Sequence, residues 1–179
     1  MQLTSEQQRI VSSAATRLAV QAGAGAAKTT TLCAYAQARP ECRVLYVAFN
    51  KAIQLEAAAR MPANVTARTT HSLAWRKARE LFGDRAGERV GSTYPSTVSR
   101  AFGCTPLAAT AALQAIQKWC GSLEVELAAE HLPAEVASRL PDPAALVALA
   151  RAVWERMVDA NERELNLPHD GYLKLYQRD

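Results

Sequence analysis

Leu18-Ala19-Val20-Gln21 followed by Ala22-Gly23-Ala24-Gly25-Ala26-Ala27-Lys28-Thr29-Thr30-Thr31 joins a compact apolar run to a glycine and alanine stretch. A lysine and three hydroxyl residues then open the helical pattern Leu32 to Ala38. The order reads strand, glycine loop, helix. A loop that wraps phosphate needs inward-pointing backbone N–H groups at a helix N-terminus and small residues that let the chain approach closely. It also needs a lysine for the charge and a hydroxyl for Mg²⁺. Ala22, Gly23, Gly25, Lys28, Thr29 and Thr30 supply nearly all of this. Ala27 departs from it, because glycine is the residue expected immediately before the lysine, and a methyl there is predicted to crowd the phosphate or strain the turn. A flexible Gly/Ala linker is the alternative, but linkers seldom lie between a buried strand and a Lys-Thr-Thr-Thr helix start.

Upstream, Thr4 followed three residues later by Gln7 forms a capping-box start, and Ile10, Val11 and Ala14 recur at helical spacing. Downstream, residues 44–49 read as a buried strand, 51–60 as a helix and 65–68 as a further short strand. Strands alternating with ten-residue helices imply βαβ units, so the fold class is α/β with a parallel sheet covered by helices. Beyond Ser72 the strand-like runs stop. Helical patterns over 72–82, 95–102, 106–120 and 144–164 take over, and 83–91, rich in Gly and charge, marks the change.

The chain has 179 residues, of which 36 are alanine, with a formal net charge of +4. That balance hides an asymmetry: residues 1–100 carry a net +8 and residues 101–179 a net −4. The front half could face a polyanion. Cys33, Cys42, Cys104 and Cys120 form no Cys-x-x-Cys pair and the start lacks a secretory pattern. A reduced, cytoplasmic protein is expected, with each cysteine a small buried hydrophobe. No stretch approaches the ~18 consecutive apolar residues that span a bilayer, so no membrane role is expected.

Leu3-Thr4-x-x-Gln7, the glycine loop, Val47-Ala48-Phe49-Asn50-Lys51-Ala52 and Thr69-Thr70-His71-Ser72 occur in an order and spacing that resembles the front end of the superfamily 1 DNA helicases of UvrD/Rep type. Tyr46 to Lys51 and the closing His169-Asp170-Gly171-Tyr172-Leu173-Lys174-Leu175-Tyr176 look especially like the F-box helicase branch. The resemblance covers residues 1–82 and 168–179 well and the helical middle by position. It implies a partial motor domain of P-loop NTPase type (1A) carrying an all-helical inserted subdomain (1B-like). The parts would be 1–85 for the P-loop portion, 86–164 for the helical subdomain and 165–179 for the return segment.

The same resemblance implies roles residue by residue. Ala22 to Thr30 would form a variant Walker A loop for ATP, with Thr29 as the Mg²⁺ hydroxyl. Gln7 would read the adenine edge; on the residue alone, the capping role stays equally open. Phe49, Asn50 and Lys51 match a motif that touches single-stranded DNA, where an aromatic face stacks on a base. A core Phe at a strand end and an Asn that caps the next helix compete with that reading. Thr70, His71 and Ser72 match the next DNA-contacting motif.

Between residues 68 and 100, Arg68, Arg76, Lys77, Arg79, Arg85, Arg89 and Arg100 form a basic run that reads either as a solvated face or as a DNA backbone track. Trp75, Trp119 and Trp154 are expected in the core. His169 and Asp170 are adjacent and do not face each other on a helix, so they are assigned to docking of the last helix. No acidic pair flanked by an apolar strand follows the loop, and no second α/β domain supplies arginines to a transferring phosphate. The chain is therefore expected to bind ATP and Mg²⁺ weakly, with no catalytic residue of its own and no turnover alone. Two functions follow: the nucleotide- and DNA-binding front of an ATP-dependent helicase, or a short, ATPase-dead relative acting through DNA or a protein partner.

Overall fold

A computed structural model describes residues 2–137 and 142–179, and the chain forms two compact units, 1–70 and 71–179. The first unit contains α1 (Ser5–Val11), α2 (Lys28–Gln37), β1 (Val44–Ala48), α3 (Lys51–Arg60) and β2 (Val65–Thr69). α1 begins where the capping pattern places it: Thr4 Oγ1 accepts from Gln7 N at 3.3 Å and Gln7 Oε1 accepts from Thr4 N at 3.0 Å. β1 and β2 pair in parallel, with Val44 opposite Val65 and Ala48 opposite Thr69, and α3 crosses between them and packs on both. This is one βαβ unit.

Leu18–Val20 is not a strand. A strand exists through its ladder, and among the described residues only β1 and β2 pair in a sheet, so this run has no backbone to bond; Leu18 and Val20 are about half exposed. The parallel sheet is real and holds two strands where three were expected. Small side chains make the buried part of this unit: Ala36, Ala48 and Ala57, with Thr31. Along β1, Leu45 and Val47 are exposed and alternate with partly buried Val44 and Tyr46. Polar side chains fasten the connections, Arg39 donating to the carbonyls of Val11 and Ser13 and Asn64 to those of Ala36, Arg39 and Cys42.

The second unit is helical: α4 (Thr70–Phe82, from His71 on), a 3-10 turn (Gly83–Arg85), α5 (Ala86–Arg89), α6 (Pro95–Phe102), α7 (Pro106–Cys120), a second 3-10 turn (Ala129–His131), α8 (Ala134–Ala137), α9 (Pro143–Val158) and α10 (His169–Gln177). Proline stands in the first turn of α6, α7 and α9, where its missing N–H costs nothing, and Thr105 and Asp142 cap the latter two. Gly103, at φ +63°, ends α6 in the left-handed conformation that glycine adopts freely. The core lies between α6, α7 and α9, with Trp119 and Trp154 edge-to-face at 4.9 Å between ring centroids and Trp75 packed at its margin. By packing, α4 joins this core through Ala74, Ala78 and Phe82, and α10 through Tyr172.

α9 ends at Val158, short of the expected 164: Asp159 is extended at φ −68° and ψ 124°, and a side chain bonds carbonyls on both sides of the break. Arg89 is 2% exposed and donates to the carbonyls of Met157, Asp159 and Leu165. Beside it, Val90 forms a parallel bridge to Leu167, so the chain leaving α5 and the chain entering α10 run together. Lys174 is also fully buried; its ammonium donates to the carbonyls of Ser122 and Glu124 and lies 4.9 Å from the Trp119 ring centre.

Candidate functional site

The loop before α2 shows how the sequence bends the backbone around a would-be anion. Gly25 has φ +75°, which costs a glycine nothing, and Ala27 has φ +52° and ψ +38°, the left-handed region that an L side chain with a Cβ rarely adopts. Ala27 is the only non-glycine described residue with positive φ. The conformation is that of a glycine position held by an alanine. The departure noted in the sequence therefore appears as backbone strain. Immediately after it α2 begins, its first helical bond running from Thr31 N to Ala27 O, which leaves the earlier N–H groups at the helix start for a ligand. Lys28 turns back onto the loop, its ammonium donating to the carbonyl of Gly23 at 2.7 Å and of Ala22 at 3.4 Å.

The loop borders a cavity of about 970 Å³ in the first unit. Gln7, Ala22, Gly25, Ala27 and Lys28 line it, while Gly23, Thr29 and Thr30 are not on its wall. The wall also includes Thr4, Arg9 and Thr31, which sequence reasoning did not select. Thr31 carried a signal, as the third hydroxyl of the run; its Oγ1 donates to Ala27 O at 3.2 Å and steadies the strained residue. Gln7 does cap α1 through Oε1, which leaves its Nε2 donor for the cavity. Thr30 Oγ1 accepts from Arg60 at 3.4 Å. Small residues at 22–27, an ammonium, free helix-start N–H groups and a cavity of nucleotide size suit a phosphate-bearing ligand. No cluster of three His, Cys, Asp or Glu side chains that could hold a metal ion occurs among the described residues.

The residues expected at DNA divide between the units. On the first, Phe49 follows β1 and is 88% exposed, so the core alternative for this ring is wrong. The Asn50 alternative is right as far as it goes: its Oδ1 accepts from Ile53 N at 2.9 Å and caps α3. Lys51 donates to Gln54 Oε1 at 2.8 Å. Thr70, at the end of the first unit, and Ser72, in the second, are exposed in the first turn of α4.

His71 is held from two sides by α10. Its Nε2 lies 3.3 Å from Asp170 Oδ1, and its ring meets Tyr172 edge-on at 5.8 Å. Tyr172 is 3% exposed and stacks edge-on with Trp75 as well, at 5.4 Å. Gly171 between them is obligatory by space, since a Cβ there would fall 2.7 Å from Leu167 Cδ1.

The basic run is not one track. Arg89 is buried in the core, where burial pulls its guanidinium below the ordinary value against the opposing charge of Glu162. Arg85 donates to the carbonyls of Ala160 and Glu162, Arg100 pairs with Glu164, and Lys77 pairs with Glu80 and Asp179. Arg68, Arg76 and Arg79 are exposed. All four cysteines are free; Cys120 is buried, its thiol pushed up to about 12 chiefly by that burial, whereas Cys42 is exposed and departs from the expected role. No helix among the described residues is long and apolar enough to cross a membrane.

Comparison with known proteins gives the following. The chain is 30% identical to F-box DNA helicase 1 of Gallus gallus over 196 aligned positions, which include 99% of this chain and 19% of that protein. It is 46% identical to F-box DNA helicase protein 1 of Schizosaccharomyces pombe over 76 positions, 41% of this chain and 9% of that protein. The chain thus spans less than a fifth of the length of these relatives. No family model matches it, and no solved structure does.

Proposed function

Since the chain is related along nearly its whole length to the F-box DNA helicases, we propose that it is the nucleotide- and single-stranded-DNA-binding front of an ATP-dependent superfamily 1 motor of UvrD/Rep type. The observation that carries this reading is the loop itself: a left-handed Gly25 and Ala27, then Lys28, at the start of α2 on the wall of a nucleotide-sized cavity that Gln7 also lines. Gln7, Ala22, Gly23, Gly25, Ala27, Lys28, Thr29 and Thr30 take ATP, with Mg²⁺ held through the Thr29 hydroxyl. Phe49, Asn50, Lys51, Thr70, His71 and Ser72 take DNA. The fold is a P-loop type α/β domain, 1–85 and 165–179, with 86–164 as a helical insertion. The Val90–Leu167 bridge supports that topology, because an insertion must leave and return at adjoining points. Exposed Leu45 and Val47 support the partial-domain reading, because a parallel sheet is ordinarily covered on both faces.

Gln7→Glu tests the nucleotide assignment. Glutamate keeps the capping box and suits a helix N-terminus, yet lacks the Nε2 donor. In titrations with a fluorescent ATP analogue and Mg²⁺, wild type is expected to bind and Lys28→Ala to lose binding. Gln7→Glu, whose new carboxylate repels phosphate from the same cavity wall, should weaken ATP by more than it weakens inorganic triphosphate, the excess being the lost adenine contact. Equal ATP affinity in wild type and Lys28→Ala refutes the site.

A further inference from the structure

Resting on the DNA-binding reading above, we infer that Asp170 is a positioning residue that holds the His71 imidazole in place for a single-stranded DNA ligand. The closing Asp170-Gly171-Tyr172 stretch lies outside the nucleotide cavity, and besides docking α10 in the core it bears on the His71 ring. Asp170 accepts at 3.3 Å from the His71 Nε2 side, Tyr172 presses its buried ring edge-on at 5.8 Å, and Gly171 lets α10 approach Leu167 closely enough to place both. His169 meets Tyr172 edge-on at 6.3 Å. The His71 side chain is 42% exposed and that of Asp170 50%, so this is an accessible ring under constraint rather than a core contact. With Nε2 engaged by Asp170, the other ring nitrogen, Nδ1, is assigned to the ligand, as an acceptor when the ring is neutral.

A carboxylate beside a DNA-contacting side chain has a cost: it repels phosphate. Its removal should therefore strengthen DNA binding if electrostatics were its whole role. Positioning predicts the opposite sign for Asp170→Ala, and separates it from Asp170→Asn, which retains an oxygen acceptor for Nε2 while losing the charge. Asp170 also sits in the first turn of α10, where an acid favours the helix dipole; Ala and Asn lose that benefit alike, so the charge–dipole contribution does not distinguish them.

The experiment is a fluorescence-anisotropy titration of labelled oligo(dT) at low salt with the full 179-residue chain, its Asp170→Ala, Asp170→Asn, Asp170→Ser and His71→Ala variants, and the His71→Ala/Asp170→Ala double variant. Each is melted alongside, and Asp170→Ser serves in place of Asp170→Ala should the latter not fold. Wild type is expected to bind. Asp170→Ala and His71→Ala should each weaken binding by about three- to tenfold, the worth of one hydrogen bond. Asp170→Asn should bind at least as well as wild type, and Asp170→Ala should bring no further loss on top of His71→Ala. Binding that tightens in both Asp170→Ala and Asp170→Asn overturns the positioning role and leaves the DNA reading standing. Unchanged affinity in His71→Ala overturns it as well. No binding by wild type overturns the DNA reading and this inference with it.

Discussion

Ala27→Gly is the change whose effect the backbone sets most directly. At φ +52° and ψ +38° the Ala27 Cβ crowds the following carbonyl oxygen, which costs an L residue about 1–2 kcal/mol relative to the right-handed region. Glycine removes that penalty but has a larger unfolded ensemble, worth about 0.4–1 kcal/mol against it. The difference is a stabilisation of about 0.5–1 kcal/mol, or a melting shift of about 1–4 °C for a chain of this size. The assay must report on the first unit. All three tryptophans, Trp75, Trp119 and Trp154, lie in the second, so their fluorescence serves as a reference while amide hydrogen exchange in α2 and β1 is read. Protection should rise in the order Val, Ala, Asn, Gly at position 27, since Asn tolerates the left-handed region and a β-branched side chain does not. Nucleotide affinity separates strain from crowding. Strain is present with and without ligand and cancels in binding, whereas a methyl that crowds phosphate acts only in the complex; the affinity of Ala27→Gly is expected to rise. A Gly variant with unchanged or lower α2 protection would refute the strain argument.

Phe49→Ala should leave the melting curve unchanged, because the ring is 88% exposed, and should weaken single-stranded DNA binding by the ~1–3 kcal/mol of one lost base stack, read by anisotropy. Arg89→Met should destabilise the second unit by about 3 kcal/mol or more in urea melts, since three carbonyls, two of them in buried bonds, lose their donor. Glu162 is 9% exposed; burial works against its charge, but the N–H groups of Glu164 and Arg163 and the Arg156 guanidinium outweigh it and hold the carboxyl below its ordinary 4.5. Its stabilisation is present above pH 4.5 and lost as pH falls below that, so Glu162→Gln should flatten the acid limb of the stability profile there, at a loss of about 2 kcal/mol at neutral pH. The chain alone should show no ATP turnover with or without DNA; turnover abolished by Lys28→Ala would contradict this.

Local signals were legible wherever a few neighbouring residues decide the outcome. The Thr4–Gln7 capping box, the Asn50 cap, the prolines at 95 and 106 and the short run 65–68 all act within one turn or one ladder, and the elements begin where these residues put them. Leu18–Val20 misled because a strand depends on a backbone beside it, which three apolar letters do not reveal. Arg89 misled for the related reason that burial is a tertiary property. Between Glu88 and Val90 it reads as a surface charge, yet its partners lie 68 to 77 residues later. The pairing of His71 with Asp170 spans 99 residues, and only the exclusion of His169 as Asp170's partner could be read from helical spacing.

The two units differ in what their folding rests on. Ile116, Trp119, Val153, Met157, Leu165 and Leu167 are buried in the second, while the first buries alanines and leaves Leu18, Val20, Leu32, Leu45, Val47, Phe49, Ile53 and Leu55 between 40% and 88% exposed. Burying one large aliphatic side chain is worth about 1.5–3 kcal/mol, so the first unit forgoes most of its available hydrophobic stabilisation. Its stability should then depend on ligand more than that of the second: a nucleotide at a hundredfold excess over its Kd adds about 2.7 kcal/mol. That exceeds the strain at Ala27. An ATP analogue should therefore raise α2 protection by more than Ala27→Gly does, while tryptophan fluorescence, which reads only the second unit, gives the reference for both.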